Sequence, residues 1–245
     1  MEPTEYKTMY SVEDRHWWYV GMQRISLMLI ERFYPRRTDL HILDAGCGTG
    51  AAMAYMAPFG KVVGMDFMDV ALRFCQQRGL TELAQGSVVK LPFASGQFDL
   101  VTSFDVLCHQ SVGDYRDTLE ELGRVLKPGG RLFLRLPAYN WLRAHHDEVV
   151  HTARRFTAAE LVQDLQAAKF TVEKRSYANA LLFPLAVGKR LAERIRPPAS
   201  DYSDIAPNPP WQDALLSRFL FAEAKWLGRA NLPFGLTVLV VARKG

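Results

Sequence analysis

The sequence predicts an α/β fold, a largely parallel sheet with helices on both faces. Short apolar runs at residues 41–45, 62–65, 98–103 and 131–136 alternate with helix-patterned segments at 51–56, 70–78 and 115–126. A strand buried on both faces reads as an unbroken apolar run, and two parallel strands need a crossover that a helix supplies. A glycine-rich turn follows the first run, and the helix stop Lys127-Pro128-Gly129-Gly130 precedes the fourth. With 49% apolar and 23% charged residues, the 245-residue chain has the composition of a single ordinary folded domain, residues 1–245.

Residues 1–38 read as an N-terminal helical segment. After a polar start comes Asp14-Arg15-His16-Trp17-Trp18-Tyr19. Ile25, Leu27, Met28, Leu29, Ile30 and Phe33 then give a helix with a broad buried face, ending before Pro35. Residues 39–177 hold the alternating core. Late in it, Thr157 caps a helix that runs to about Lys169, with Glu160 in the capping-box position, and 170–177 is strand-like. The rhythm fails at 178–232. Apolar helices there flank a proline-rich loop (Arg196-Pro197-Pro198, Pro207-Asn208-Pro209-Pro210) and carry Trp211 and Trp226. This stretch reads as a helical insertion capping the substrate side, and 233–245 carries a final apolar strand at 236–242.

The net charge is +4, without a dense Lys/Arg stripe interleaved with aromatics, so nucleic acid is not an expected partner. Three separated cysteines, Cys47, Cys75 and Cys108, lack the pairing of a disulfide framework or zinc site, so no metal is expected and a reducing compartment is. The start has no apolar leader, and the apolar stretch at 178–188 is broken by Asn179 and Pro184, far short of the ~20 residues a spanning helix needs. A cytoplasmic location is the expectation.

Leu43-Asp44-Ala45-Gly46-Cys47-Gly48-Thr49-Gly50 sits where a strand turns into a helix. Glycines there let the backbone pass close under a ligand. With Ala51 the turn also fits the loose dinucleotide pattern. Asp44, however, would stand near a pyrophosphate and repel it, whereas it suits the cationic amino-acid end of S-adenosylmethionine. Asp66 ends the second run about twenty residues on, where an acid binds a ribose diol. Leu91-Pro92-Phe93, Gln97-Phe98-Asp99-Leu100-Val101 and Leu126-Lys127-Pro128-Gly129-Gly130 follow in order.

These segments, strongest over residues 40–140, resemble the class I S-adenosylmethionine-dependent methyltransferases, and within them the type 11 group. The resemblance implies a Rossmann-like, doubly wound, seven-stranded sheet whose last strand is antiparallel. It also implies S-adenosylmethionine as cofactor. Asp44, Gly46, Cys47 and Gly48 would line its methionine side, Asp66 its ribose, and Phe67 or Met68 its adenine. Ser87 and Val88 stand where this family usually shows an acid that reads the adenine amino group. Phe104 and Asp105 would lie beneath the sulfonium. Trp18 and Arg24, in an N-terminal segment shared with a subset of these enzymes, would close a lid, the arginine meeting the cofactor carboxylate; the other reading is that the aromatics only pack the first helix onto the sheet.

For the acceptor side, the candidates follow the strand at 131–136: His145-His146-Asp147-Glu148, His151 and Arg154-Arg155-Phe156-Thr157. Chemistry in open α/β sheets occurs at the carboxyl ends of strands. Three readings stand. His146 or His151 acts as general base, or His146, Asp147 and His151 hold a metal, or the segment anchors a surface loop. His109 is a further candidate base. In the insertion, Leu181–Val187 with Lys189, Arg190 and Arg194, and Phe219-Leu220-Phe221 with Lys225-Trp226, combine apolar and basic character. That suits a hydrophobic or lipid- or glycan-linked small-molecule acceptor, or peripheral contact with an anionic membrane. A polar small metabolite or sugar stands equally, as do helices that only cover the sheet edge or make a dimer contact, so monomer and homodimer both stand. Two other functions keep parts of this pattern: a non-catalytic cofactor-binding subunit and a dinucleotide-dependent oxidoreductase.

Overall fold

The computed structural model describes residues 3–143, 145–195 and 208–245, excepting the side chains of 3, 145, 146 and 193–195. The proline-rich loop from Arg196 to Pro207, and the Arg194 side chain, lie outside them. Two helices, α1 (Pro3–Val12) and α2 (Trp17–Phe33), precede the sheet. Then come β1 (Leu40–Ala45), α3 (Ala51–Met56), β2 (Gly60–Asp66), α4 (Asp69–Gln77), β3 (Leu83–Gln85) and β4 (Phe98–Phe104). The second half holds α5 (Tyr115–Val125), β5 (Leu126–Pro137), α6 (His145–Val149), α7 (Ala158–Ala167) and β6 (Phe170–Ala178). It ends with α8 (Phe183–Ile195), α9 (Pro210–Leu227) and β7 (Thr237–Lys244).

The seven strands lie in the order β3-β2-β1-β4-β5-β7-β6. β1 to β5 are parallel, and β7 enters antiparallel between β5 and β6. The strand order reverses between β1 and β4, which puts a crevice at the carboxyl edge of the sheet, where such folds bind ligands.

Side chains alternate across the sheet, so each strand feeds two cores. Ile42 joins Met22, Ile25, Leu29, Ala224 and Leu227 on the α2/α9 face, while Leu43 joins Leu119, Leu122, Leu161 and Leu165 on the α5/α7 face. β7 repeats the division, with Leu239 and Val241 to one side and Val238 and Val240 to the other. That is why these strands read as unbroken apolar runs. Asp99, at the start of β4, accepts from His41 N (2.9 Å) and Lys127 Nζ (2.8 Å) and so joins β1, β4 and β5 at their entry. Thr157 caps α7 by accepting from Glu160 N at 3.3 Å.

Three features depart from the sequence reading. The polar start forms α1, three residues form the edge strand β3, and β5 begins at Leu126, its pairing with β4 shifting between Phe98 and Leu100. The insertion contributes α9 to the α2 face of the sheet, packed along α2 and touching β6. No helix among the described residues is long and apolar enough to cross a membrane.

Candidate active site

β1 delivers Asp44 to the carboxyl edge of the sheet, and the chain then turns through Gly46 and Gly48, both at positive φ (89° and 55°). A Cβ at Gly46 would lie 2.2 Å from Val106 Cγ2, so any other residue there would strain the turn and displace that side chain. The Gly46 and Cys47 amides donate to Met65 O at 2.8 and 2.9 Å, tying the turn to β2. Gly48 N donates to Asp66 Oδ2 and Met68 N to Asp66 Oδ1, each at 2.9 Å. Asp66 thus braces both turns, and each oxygen keeps a second acceptor site. Burial pushes its carboxyl above the usual range, against the pull of these amides.

Asp44 is 1% exposed. Its Oδ1 accepts from Thr102 Oγ1 at 2.8 Å, and its Oδ2 has no partner. Burial pushes its carboxyl up to about 6, opposed by the Thr102 hydrogen bond and the Arg135 charge. A buried, half-satisfied carboxylate on a cavity wall calls for a ligand that donates hydrogen bonds or carries positive charge.

The cavity it borders has a volume of about 1020 Å³. Single-ligand pockets run to roughly 300–1,000 Å³, so this one has room for a nucleoside-sized cofactor and a second molecule. Gly48, Cys47, Asp66, Phe67 and Met68 border one end, with Ser87 and Val88 from the β3 side. The Cys47 thiol is turned away onto Cys75, 3.9 Å between sulfurs. Phe67 is 64% exposed, a rim residue and not core. Trp18, Phe104 and Asp105 border the middle.

Arg24 is a correction: it is exposed and does not border the cavity. On α2 the positions at the cavity are Trp17, Trp18, Tyr19 and Gln23, and one residue beyond Gln23 turns the side chain by about 100°, toward solvent. The positive charge inside the cavity comes instead from Arg135 of β5. Its Nε donates to Asp105 Oδ2 at 2.8 Å, and its guanidinium lies 5.1 Å from the Trp18 ring centre and 4.5 Å from that of Phe104. Asp105 itself holds φ at +60°, a backbone strain fixed by its N–H to Arg135 O at 2.7 Å. The sequence signal for Arg135 is a charge inside an apolar strand.

A second unforeseen group comes from the N terminus. Tyr6, Met9 and Glu13 border the cavity above the glycine turn. Glu13 is 6% exposed and accepts from Thr49 Oγ1 and from Arg78 Nη2, the latter at 2.7 Å. Arg78 Nε also donates to Thr49 O at 3.0 Å, and Tyr10 stacks on Phe74 at 4.8 Å between ring centres. The segment therefore straps across the turn and fastens to α4.

At the other end stand His109 and His151, rings stacked 6.1 Å apart, with Asp147 and Arg155 beside them on the cavity wall. Arg155 donates Nε and Nη2 to the two Asp147 oxygens at 2.9 and 3.0 Å, a fork that fixes the loop between α6 and α7. Burial above all lowers His109 to about 4, so its ring is neutral at pH 7. His151 holds φ at +57°. His146 belongs to α6, but its side chain lies outside the described residues. Among the described residues no His/Cys/Asp/Glu group is gathered for a metal ion.

Residues 43–134 match the methyltransferase domain family. The demethylmenaquinone methyltransferase of Lactococcus lactis is 39% identical over 105 residues, 39% of this chain and 41% of that one. Its counterpart in Lactiplantibacillus plantarum is 35% identical over 130 residues, 48% of this chain and 50% of that one. The chain thus spans half or less of these curated relatives. Among solved structures, a chain of the Haloferax volcanii complex between the Trm112 methyltransferase activator and a methyltransferase matches at TM-score 0.63 and 21% identity, over 98% of this chain and 93% of that one. The Haemonchus contortus phosphoethanolamine N-methyltransferase 2, solved with S-adenosyl-L-methionine, matches at 0.60 and 18%, over 89% and 51%. At these identities the two structures establish the fold. The orphaned Asp44 oxygen, Asp66 and the open glycine turn fit the cationic and hydroxyl-bearing cofactor of that family. Residues 43–134 are thus similar to the methyltransferase domain family, and the chain as a whole has the fold of these solved methyltransferases.

Proposed function

We propose that the chain transfers a methyl group from S-adenosylmethionine to a small-molecule acceptor with a sizeable apolar part. The observation that carries this reading is the continuity of one cavity from Asp44 and Asp66 to His109, His151 and, on α8, Ala186 and Arg190. Bound S-adenosylmethionine supplies an electrophilic methyl group on a cationic sulfur. The chain has then to hold an acceptor in line, exclude water and, where the nucleophile carries a proton, take it up. Asp44 and Asp66 hold the cationic and hydroxyl-bearing parts of the cofactor. Tyr6, Met9, Trp18 and Tyr19 roof the site against water. The neutral His109 ring, with His151 stacked on it, is placed to receive a proton on the acceptor side.

The relatives named for demethylmenaquinone support an apolar, quinone-type acceptor. The family match ends at residue 134, so His109 lies within it, while α6, the Asp147–Arg155 pair, His151 and α8 lie outside it.

Calorimetry with S-adenosylhomocysteine tests the cofactor half: micromolar-range binding is expected, and a folded protein that binds neither it nor S-adenosylmethionine refutes the reading. Labelled methyl donor with naphthoquinols or cell extract, partitioned between organic and aqueous phases, tests the acceptor half. Label in the organic phase is expected, and His109→Ala and His151→Ala are expected to lower turnover by about 100-fold while leaving S-adenosylhomocysteine affinity within about twofold. Full turnover in both variants would remove the histidines from the mechanism.

A further inference from the structure

The helix α9 is 18 residues long and buries one face on α2. Its opposite face carries Trp211, Leu215, Phe219 and Trp226, which are 69%, 48%, 40% and 60% exposed. At 3.6 residues per turn these four fall within an arc of roughly 80° and span roughly 22 Å along the axis. Arg218 and Lys225 are exposed along one border of that stripe. The two acids of the helix both point inward. Asp213 accepts from Trp17 N and Asn208 Nδ2, each at 3.1 Å, and Glu223, 2% exposed, accepts from Leu181 N at 2.7 Å. The outward face is therefore aromatic, aliphatic and basic, with no acid in it.

We propose that this face of α9 docks on the surface of an anionic lipid bilayer. Tryptophans at both ends, apolar residues between them and cations along the border match the headgroup zone, where indole rings settle and lysine and arginine meet anionic lipid. The helix lies on the membrane and does not span it, since no described helix is long and apolar enough. A second copy of the chain is a poor occupant. Antiparallel two-fold packing of the stripe on itself would bring the Arg218 and Lys225 rows together, and parallel packing would set each against the other border, in both cases with no acid on either face to pair with them. Docking is independent of the methyl-transfer reading, which S-adenosylhomocysteine binding reports separately.

The test is co-sedimentation of the full chain with phosphatidylcholine vesicles, pure or containing about one third phosphatidylglycerol, at low and high salt. The anionic vesicles are expected to bind at least tenfold more protein, and 0.5 M salt to remove most of that gain. Trp211→Ser with Trp226→Ser, and separately Arg218→Glu with Lys225→Glu, are expected to lower the partition at least tenfold while S-adenosylhomocysteine affinity stays within twofold. Equal binding to neutral and anionic vesicles, no binding to either, or insensitivity to the charge reversal overturns the proposal. So does a dimer in light scattering that the tryptophan substitutions abolish, or an acidic protein captured on this face in place of lipid. The salt and lipid comparisons use the unaltered chain, so the outcome does not hang on a variant folding.

Discussion

A carboxylic acid with one oxygen hydrogen-bonded and the other buried without a partner resists giving up its proton. Asp44, pushed up to about 6, keeps it where the unfolded chain, near 3.9, has already lost it. Between those values the native state binds more protons, so its contribution to stability is complete below about pH 4 and is lost as pH rises through 6, by up to roughly 3 kcal/mol. Without cofactor, Asp44→Asn is expected to flatten the fall in Tm between pH 4 and pH 7 relative to the unaltered chain; parallel curves would show that this acid is not the titrating group. Arg78 makes a different prediction. Its loss strands the buried Glu13 carboxylate, so Arg78→Ala is expected to cost roughly 3 kcal/mol and to expose residues 3–14 to limited proteolysis; an unchanged digestion pattern would mean that α1 is fastened elsewhere. Asp44 and Asp66 are legible in the sequence because each stands next to a turn that announces itself. Arg135 is not, since a lone charge in an apolar strand gains meaning only when Asp105 and Trp18, distant in sequence, arrive beside it.

Packing between elements turns on small residues. Gly21 of α2 faces Leu220 of α9, and a Cβ there would lie 2.1 Å from Leu220 Cδ1 and 2.6 Å from its Cβ. Gly188 of α8 has nothing within 4 Å of such an atom. Replacing a mid-helix glycine by alanine gains about 1 kcal/mol of backbone entropy, while overpacking costs about 1–3 kcal/mol. Gly21→Ala is therefore expected to lower Tm and Gly188→Ala to raise it by a few degrees; the same sign at both sites would contradict the tight α2–α9 contact. Of the elements, those with a long apolar run or a cap were readable. α1 was not, because Tyr6 and Met9 at the cavity and Tyr10 on α4 make a pattern too thin to stand out from a polar start. β3 has only three residues, too few for any period to show.

Across the whole molecule, the parallel part of the sheet follows from alternation along the chain, but the placement of β7 between β5 and β6 does not. Only the family resemblance implied its reversed direction, and no local pattern says which edge a final strand will enter. That placement has a consequence during synthesis. β6 pairs with β7 and with no other described strand, and about 60 residues, carrying α8 and α9, separate the two. A ribosome working at about 5–20 residues per second therefore leaves β6 and the open side of β5 unpaired for roughly 3–12 s. For that interval the nascent chain carries two unprotected strand edges, and it is then, before β7 is translated, that it is most exposed to aggregation and most in need of a chaperone.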